Sequence, residues 1–272
     1  MNFVNLLFSL CYTSNMDQII YLGDKKYRLS TKYRHTSMDL IFLIHGLGCI
    51  KESFDDIWNY DYFSKYSILV PDLMGFGSSS KPLDFSYTLI NQANVLKKLL
   101  DKYEIEQIHI VAHSMGGAIG IMLTDFIINK LRTFINVEGN LIMEDCGLIS
   151  KKTTSVSFEI FESKTFQELR DTFIRSPNVG SRLWATWSQK ASPIAFYKSA
   201  QSLVNGRESG TLLKKFLAMK TNKYYFYGSE NKKMAILDKI PKVSTVEIRN
   251  SGHFVMNDNP EEFYRKLSEV IE

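Results

Sequence analysis

Apolar residues along this 272-residue chain follow two rhythms in turn. Short runs of aliphatic and β-branched residues at 39–44 (DLIFLI), 67–70, 107–112 (QIHIVA), 133–137 and 223–227 have the length and composition of strands buried on both faces. Longer stretches between them carry apolar residues at helical spacing. In 86–103, Leu89, Val95, Leu96, Leu99 and Leu100 share one face, and 115–130 reads likewise. This alternation predicts the α/β class: a mostly parallel sheet of about eight strands flanked by helices, led by a hairpin at 18–22 and 27–34. A strand at 243–248 and an amphipathic helix at 260–271, with Pro260 in its first turn, close the pattern.

The alternation fails over 150–220, where no strand pattern occurs and helical segments carry Phe158, Phe161, Phe166, Phe173, Trp184, Trp187, Phe196, Tyr197 and Phe216. The expected organisation is a core made of 1–149 and 221–272 with a helical lid inserted at 150–220. The apolar run at 3–12 is too short to span a bilayer. With no basic residue before Lys25 and no small-residue cleavage site after it, this run reads as an extra strand or loose tail rather than a signal peptide.

Composition narrows the function classes. At 44% hydrophobic and 23% charged residues, the chain can bury a full core. Its 33 basic and 29 acidic side chains are mixed along the sequence, which leaves a charge of +4 but no basic block of the kind that binds nucleic acid. Three cysteines, Cys11, Cys49 and Cys146, form neither a metal-binding spacing nor a disulfide framework, so a reducing, cytoplasmic setting is expected.

Chemistry concentrates where strands end. Ala112-His113-Ser114-Met115-Gly116-Gly117 follows one apolar strand and opens a helix. A serine on such a turn forces two backbones together, so the positions two before and two after it must be small; Ala112 and Gly116 are. The helix N-terminus then points amides at Ser114. A dinucleotide-binding turn would want Gly-x-Gly-x-x-Gly, a spacing the chain lacks.

His45-Gly46-Leu47-Gly48 ends the strand at 39–44, and its loop can aim the Leu47 amide at the same point as the Met115 amide. Loss of one such oxyanion donor costs about 3 kcal/mol of transition-state stabilisation. His45 reads as an organiser of that loop. Of the five histidines, His253 suits a general base: His109 lies within a strand, His113 points away from the nucleophile, and Ser251-Gly252-His253-Phe254 sits in a loop where Gly252 permits an inward bend.

Together with Pro71-Asp72-Leu73-Met74-Gly75-Phe76-Gly77-Ser78, these motifs resemble the α/β-hydrolase superfamily over nearly the whole chain outside the insertion. The resemblance implies a Ser114 nucleophile, a His253 base and oxyanion amides at Leu47 and Met115. It also implies a substrate pocket under the lid, where Gly46, Trp184 and Trp187 are the expected contacts. Asp72 reads as structural.

One departure matters. Family members commonly place the triad acid in a Gly-x-x-Asp turn after the strand that follows the lid, and here that turn is Gly228-Ser229-Glu230-Asn231. An amide cannot stabilise an imidazolium by charge. The substitute is Glu138, which closes the strand at 133–137, a position used by haloalkane dehalogenase-like members; Glu230, Glu144 and Asp145 are rivals. The expected reaction is acyl transfer from a small-molecule ester to water, without a metal or organic cofactor. Carbon–carbon bond hydrolysis or acyl transfer to another acceptor by the same residues, and a non-catalytic binding protein with a vestigial triad, are the alternatives.

Overall fold

In the computed structural model, which describes residues 14–142, 144, 147–205 and 209–271, the apolar runs expected to be strands within those residues are strands. The chain order begins β1 (Ser14–Leu22), β2 (Lys25–Arg34), β3 (Asp39–Ile44), β4 (Ser67–Pro71), α1 (Leu89–Leu100), β5 (Gln107–His113), α2 (Met115–Ile127) and β6 (Leu131–Val137). The expected strand or tail at 3–12 lies outside the described residues. The helix expected over 86–103 is shorter because the Thr88 side chain caps it, accepting from the Asn91 amide.

The eight strands form one sheet in the order β1-β2-β4-β3-β5-β6-β7-β8. β1 and β2 pair antiparallel, β2 joins β4 antiparallel, and the remaining neighbours are parallel. The period-2 alternation of each strand sorts its side chains into two cores. Leu40, Phe42 and Ile44 of β3 join Ile108, Ile110 and Phe134 on the face covered by α1 and α2. Ile41 and Leu43 join Val111, Ile135 and Phe226 on the opposite face, beneath the C-terminal helix.

Between β6 and β7 the described elements are all helices. It runs through α3 (Leu148–Thr154), α4 (Phe158–Ile160), a π-helical turn (Phe161–Thr165), α5 (Phe166–Phe173), α6 (Val179–Trp187), α7 (Pro193–Val204) and α8 (Ser209–Ala218). Helix α3 starts two residues before the expected boundary at 150. The aromatic residues of this segment pack on one another, Phe161 on Phe166 at 4.9 Å and Phe166 on Phe196 at 4.7 Å between centroids, and they extend the α1–α2 core. The chain then returns through β7 (Asn222–Gly228), α9 (Ala235–Lys239), β8 (Ser244–Ile248), α10 (Val255–Asp258) and α11 (Pro260–Val270). Among the described residues, no helix is long and apolar enough to cross a membrane.

The turn after β4 is fixed by a buried ion pair. Asp72, fully buried, accepts from the Lys51 amide at 2.7 Å, the Lys51 ammonium at 2.9 Å and the Ser78 amide at 2.8 Å. Burial works against the Lys51 charge, but Asp72 and Glu52 outweigh it and hold the ammonium above its ordinary pKa. Removing one partner of such a pair leaves the other charge uncompensated, at about 3–5 kcal/mol. Asp72 is thus structural, as the sequence suggests.

His109 in β5 is buried against Tyr66, and burial lowers its imidazole pKa from 6.5 to about 4. In the unfolded chain the ring takes a proton near pH 6.5, but the folded ring stays neutral until about pH 4. Its contribution is therefore complete above pH 6.5 and lost as pH falls toward 4. The unfolding free-energy gap between wild type and His109→Gln should narrow by about 2 kcal/mol from pH 7 to pH 5. Urea unfolding at the two pH values measures this, and a constant gap would contradict it.

Candidate active site

At Ser114 the backbone is forced into φ 53° and ψ −123°, a strained region for a residue with a Cβ. Neighbouring bonds over-determine it. The Ser114 amide donates to the Val137 carbonyl at 3.0 Å, and its own carbonyl accepts from the Gly117 amide at 2.8 Å. The expected need for small neighbours has a direct cause: a Cβ on Gly116 would lie 2.3 Å from the Ile44 carbonyl oxygen and 2.7 Å from that of His45. The Ser114 side chain makes no capping bond to α2, so its hydroxyl is not spent on the helix.

The next strand supplies a buried carboxylate. Glu138 follows β6 with φ 45°, and its amide donates to the Phe226 carbonyl of β7 at 2.9 Å. Its buried carboxylate needs donors, and three groups provide them. Oε1 accepts from the Gly228 amide at 2.8 Å and from Asn231 Nδ2 at 2.8 Å. Oε2 accepts from Asn231 Nδ2 at 2.9 Å and from His253 Nδ1 at 2.8 Å. Asn231, in the turn where family members commonly carry an aspartate, thus spans both oxygens of the Glu138 carboxylate.

Because a carboxylate only accepts here, His253 carries its proton on Nδ1, which leaves the Nε2 lone pair free. His253 is held from behind as well. His113 Nε2 donates to the His253 carbonyl at 2.9 Å with the two rings 4.8 Å apart, and burial keeps the His113 imidazole pKa well below its ordinary value. His113 is therefore neutral and protonated on Nε2. Nothing local in the sequence signals this tether, because His113 and His253 are 140 positions apart.

The loop after β3 is built by His45 and Trp184. His45 Nδ1 donates to the Gly46 carbonyl at 2.8 Å while Nε2 accepts from the Leu73 amide at 3.0 Å, and burial lowers the pKa of this ring too. The Cys49 amide closes the turn on the Gly46 carbonyl at 3.1 Å. Trp184 Nε1 donates to the Leu47 carbonyl at 2.8 Å. Gly48, at φ 75°, leaves room for that indole; a Cβ there would sit 2.6 Å from Nε1. Met115 provides the first amide of α2, which has no acceptor within its own helix.

Ser114, His253 and Glu138 open onto one cavity of about 330 Å³, with Leu47, Asn140 and Asn231 in its wall. Its apolar lining comes from Leu148, Ile149 and Phe173 of the helical segment and from Met234, Ala235 and Phe254. Three expected contacts need correction. Trp184 is fully buried and faces the 45–49 loop, and neither it nor Trp187, which packs on the core, lines the cavity. Gly46 lies under the Ser114 turn, where a Cβ would come 2.9 Å from Ser114 Cβ, and it is not in the wall either. Of the rival acids, Glu230 accepts from Asn178 Nδ2 at 2.9 Å, and Glu144 is an exposed lining residue. Asp145 lies outside the described residues.

A sequence profile of the α/β hydrolase fold matches residues 39–183, more than half of the chain. The chain belongs to the α/β-hydrolase fold family. Lipase 3 of Moraxella sp. (strain TA144) is 40% identical over 82 residues, which are 30% of this chain and 25% of that protein. The match thus spans about a quarter of that relative's length. Among solved structures, bromoperoxidase from Bacillus anthracis superposes with a TM-score of 0.78 at 14% identity, covering 94% of this chain and 99% of that one. A thermophilic esterase from Thermogutta terrifontis gives 0.70 at 19% identity, covering 94% and 97%.

The Asn231 bridge makes a prediction of its own. Asn231→Asp would set a second carboxylate against Glu138 in a buried site, so one of the two must hold a proton when folded. The folded pair then binds a proton that the unfolded chain has released, and stability is lost as pH rises. The variant should be about 2–4 kcal/mol less stable than wild type at pH 8 and closer to it at pH 5. Chemical denaturation at both pH values checks this; a penalty that grows toward acid would refute it.

Proposed function

We propose that the protein is a serine hydrolase that cleaves carboxylic esters of small, apolar acyl groups through an acyl-enzyme. One observation carries the reading: the only carboxylate bonded to His253 among the described residues is the buried Glu138, on the ring nitrogen opposite the one free to serve Ser114. The matched lipase segment supports an ester as substrate.

In this reading His253 Nε2 takes the Ser114 hydroxyl proton as Oγ attacks the ester carbonyl. The carbonyl π pair moves onto oxygen, where the Leu47 and Met115 amides stabilise it. Collapse of the intermediate expels the alcohol, which receives the proton from His253. Water, deprotonated by the same ring, then releases the carboxylic acid and regenerates Ser114. Glu138 stays ionised and stabilises the imidazolium in both halves. The helical segment serves as a lid, since Leu148, Ile149 and Phe173 help to enclose the cavity, whose volume suits a small acyl group. The cytoplasm is the proposed location, on the odd number of cysteines and on Cys49, a free thiol that burial pushes up to about 12.

A fluorophosphonate should add once to the wild type by intact mass and not to Ser114→Ala; equal labelling of both would refute Ser114 as nucleophile. On nitrophenyl esters, Glu138→Gln should lose about 10³–10⁴-fold in kcat, because the amide can still orient His253 but no longer balances its charge. Glu230→Gln should stay within a few-fold of wild type. If Glu230→Gln collapses and Glu138→Gln does not, the acid has been misassigned.

A further inference from the structure

Asp258 ends α10, five residues beyond His253, and its carboxylate joins two parts of the chain that are remote in sequence. Oδ2 accepts from the Gly252 amide at 3.0 Å, immediately before the base. Oδ1 accepts from the Gly180 amide at 2.8 Å, in the first turn of α6. The contact has no slack. A Cβ on Gly180 would lie 2.2 Å from Phe254 Cβ, and one on Gly252 would lie 2.6 Å from Asn178 Nδ2 and 2.9 Å from Glu230 Oε2. Asn178 Nδ2 in turn donates to Glu230 Oε2 at 2.9 Å, and the Glu230 amide donates to the Ser251 carbonyl at 3.2 Å.

His253 is thereby fixed on three sides. Its ring is bonded to Glu138, its carbonyl to His113, and the amide of the residue before it to Asp258. The first two anchors belong to the sheet. The third alone is shared with the helical segment, through the other oxygen of the same carboxylate.

We propose that Asp258 is a positioning residue that sets the His253 loop in register with α6, so that the base is aligned for proton transfer only while the start of α6 is docked against it. The proposal rests on the reading of Ser114 and His253 as nucleophile and base. A carboxylate is required because both amides donate: an asparagine offers one oxygen, and its NH2 would face the second amide donor to donor.

With 4-nitrophenyl butyrate as probe, Asp258→Asn should lower kcat at least tenfold with KM within threefold of wild type, because cavity and nucleophile are unchanged. Gly180→Ala leaves Asp258 in place but forces α6 off Phe254, which also lines the cavity, and it should lower kcat at least tenfold whatever its effect on KM, which keeps the test alive if Asp258→Asn fails to fold. The double variant should be no worse than the more damaged single one, since both break one bridge. Well below the unfolding temperature, the downfield ¹H NMR resonance of the His253 Nδ1 proton should be lost or exchange-broadened in Asp258→Asn, a readout that needs no turnover. Asp258→Asn with kcat within twofold of wild type, multiplicative losses in the double variant, or an unchanged Nδ1 resonance would each overturn the proposal. Failure of the parent reading looks different: Ser114→Ala would then turn over the ester as well as wild type does.

Discussion

A single negative charge held out of water organises the site. Glu138 is buried at the end of β6, where an ionised carboxylate is tolerated only if its lone pairs meet donors. The Gly228 amide, the Asn231 amide group and the His253 ring meet that demand together. Each donor comes from a different segment, so satisfying one carboxylate also aligns the end of β7, the turn after it and the loop after β8. The His253 ring is oriented as a by-product of solvating Glu138, and Asn231 does through hydrogen bonding what it could not do through charge.

The second constraint is steric. Three strand ends are laced together by the bonds from Ser114 to Val137 and from Glu138 to Phe226, and both Ser114 and Glu138 adopt left-handed backbone conformations to make them. Strain of this kind, about 1–3 kcal/mol per residue, persists only where the surroundings allow no relaxation. Gly116 lets α2 approach the carbonyls of Ile44 and His45, and Gly46 lets the loop after β3 pass under Ser114. The positions of Ser114 and Glu138 therefore depend on close backbone packing more than on the chemistry of their own side chains.

Local forces were legible in the sequence and distant pairings were not. The strands could be read because a run such as DLIFLI has no alternative burial, and the turn at Ser114 because its small neighbours report a clash between adjacent backbones. The pairing of Glu138 with His253 was reached indirectly, from the failure of Asn231 to carry charge and from the position of Glu138 at a strand end. That Asn231 would then bond Glu138, 93 positions earlier, has no local signature. Trp184 was misread for a related reason. An aromatic residue in an amphipathic helix signals an apolar contact without saying which, and helical rotation turns its indole toward Leu47 instead of the cavity.

That indole has a consequence for how freely the helical segment can be exchanged. Segments between the sixth and seventh strands look like detachable modules, joined to the sheet by two short connections. Here the module reaches back and holds the carbonyl of Leu47, in a space that exists because residue 48 is glycine. A chimaera carrying a foreign segment without a tryptophan at this point would bury the Leu47 carbonyl unpaired beside an indole-sized void. The sheet and its insertion therefore have to change together, with Gly48 and Trp184 as the pair that keeps them matched.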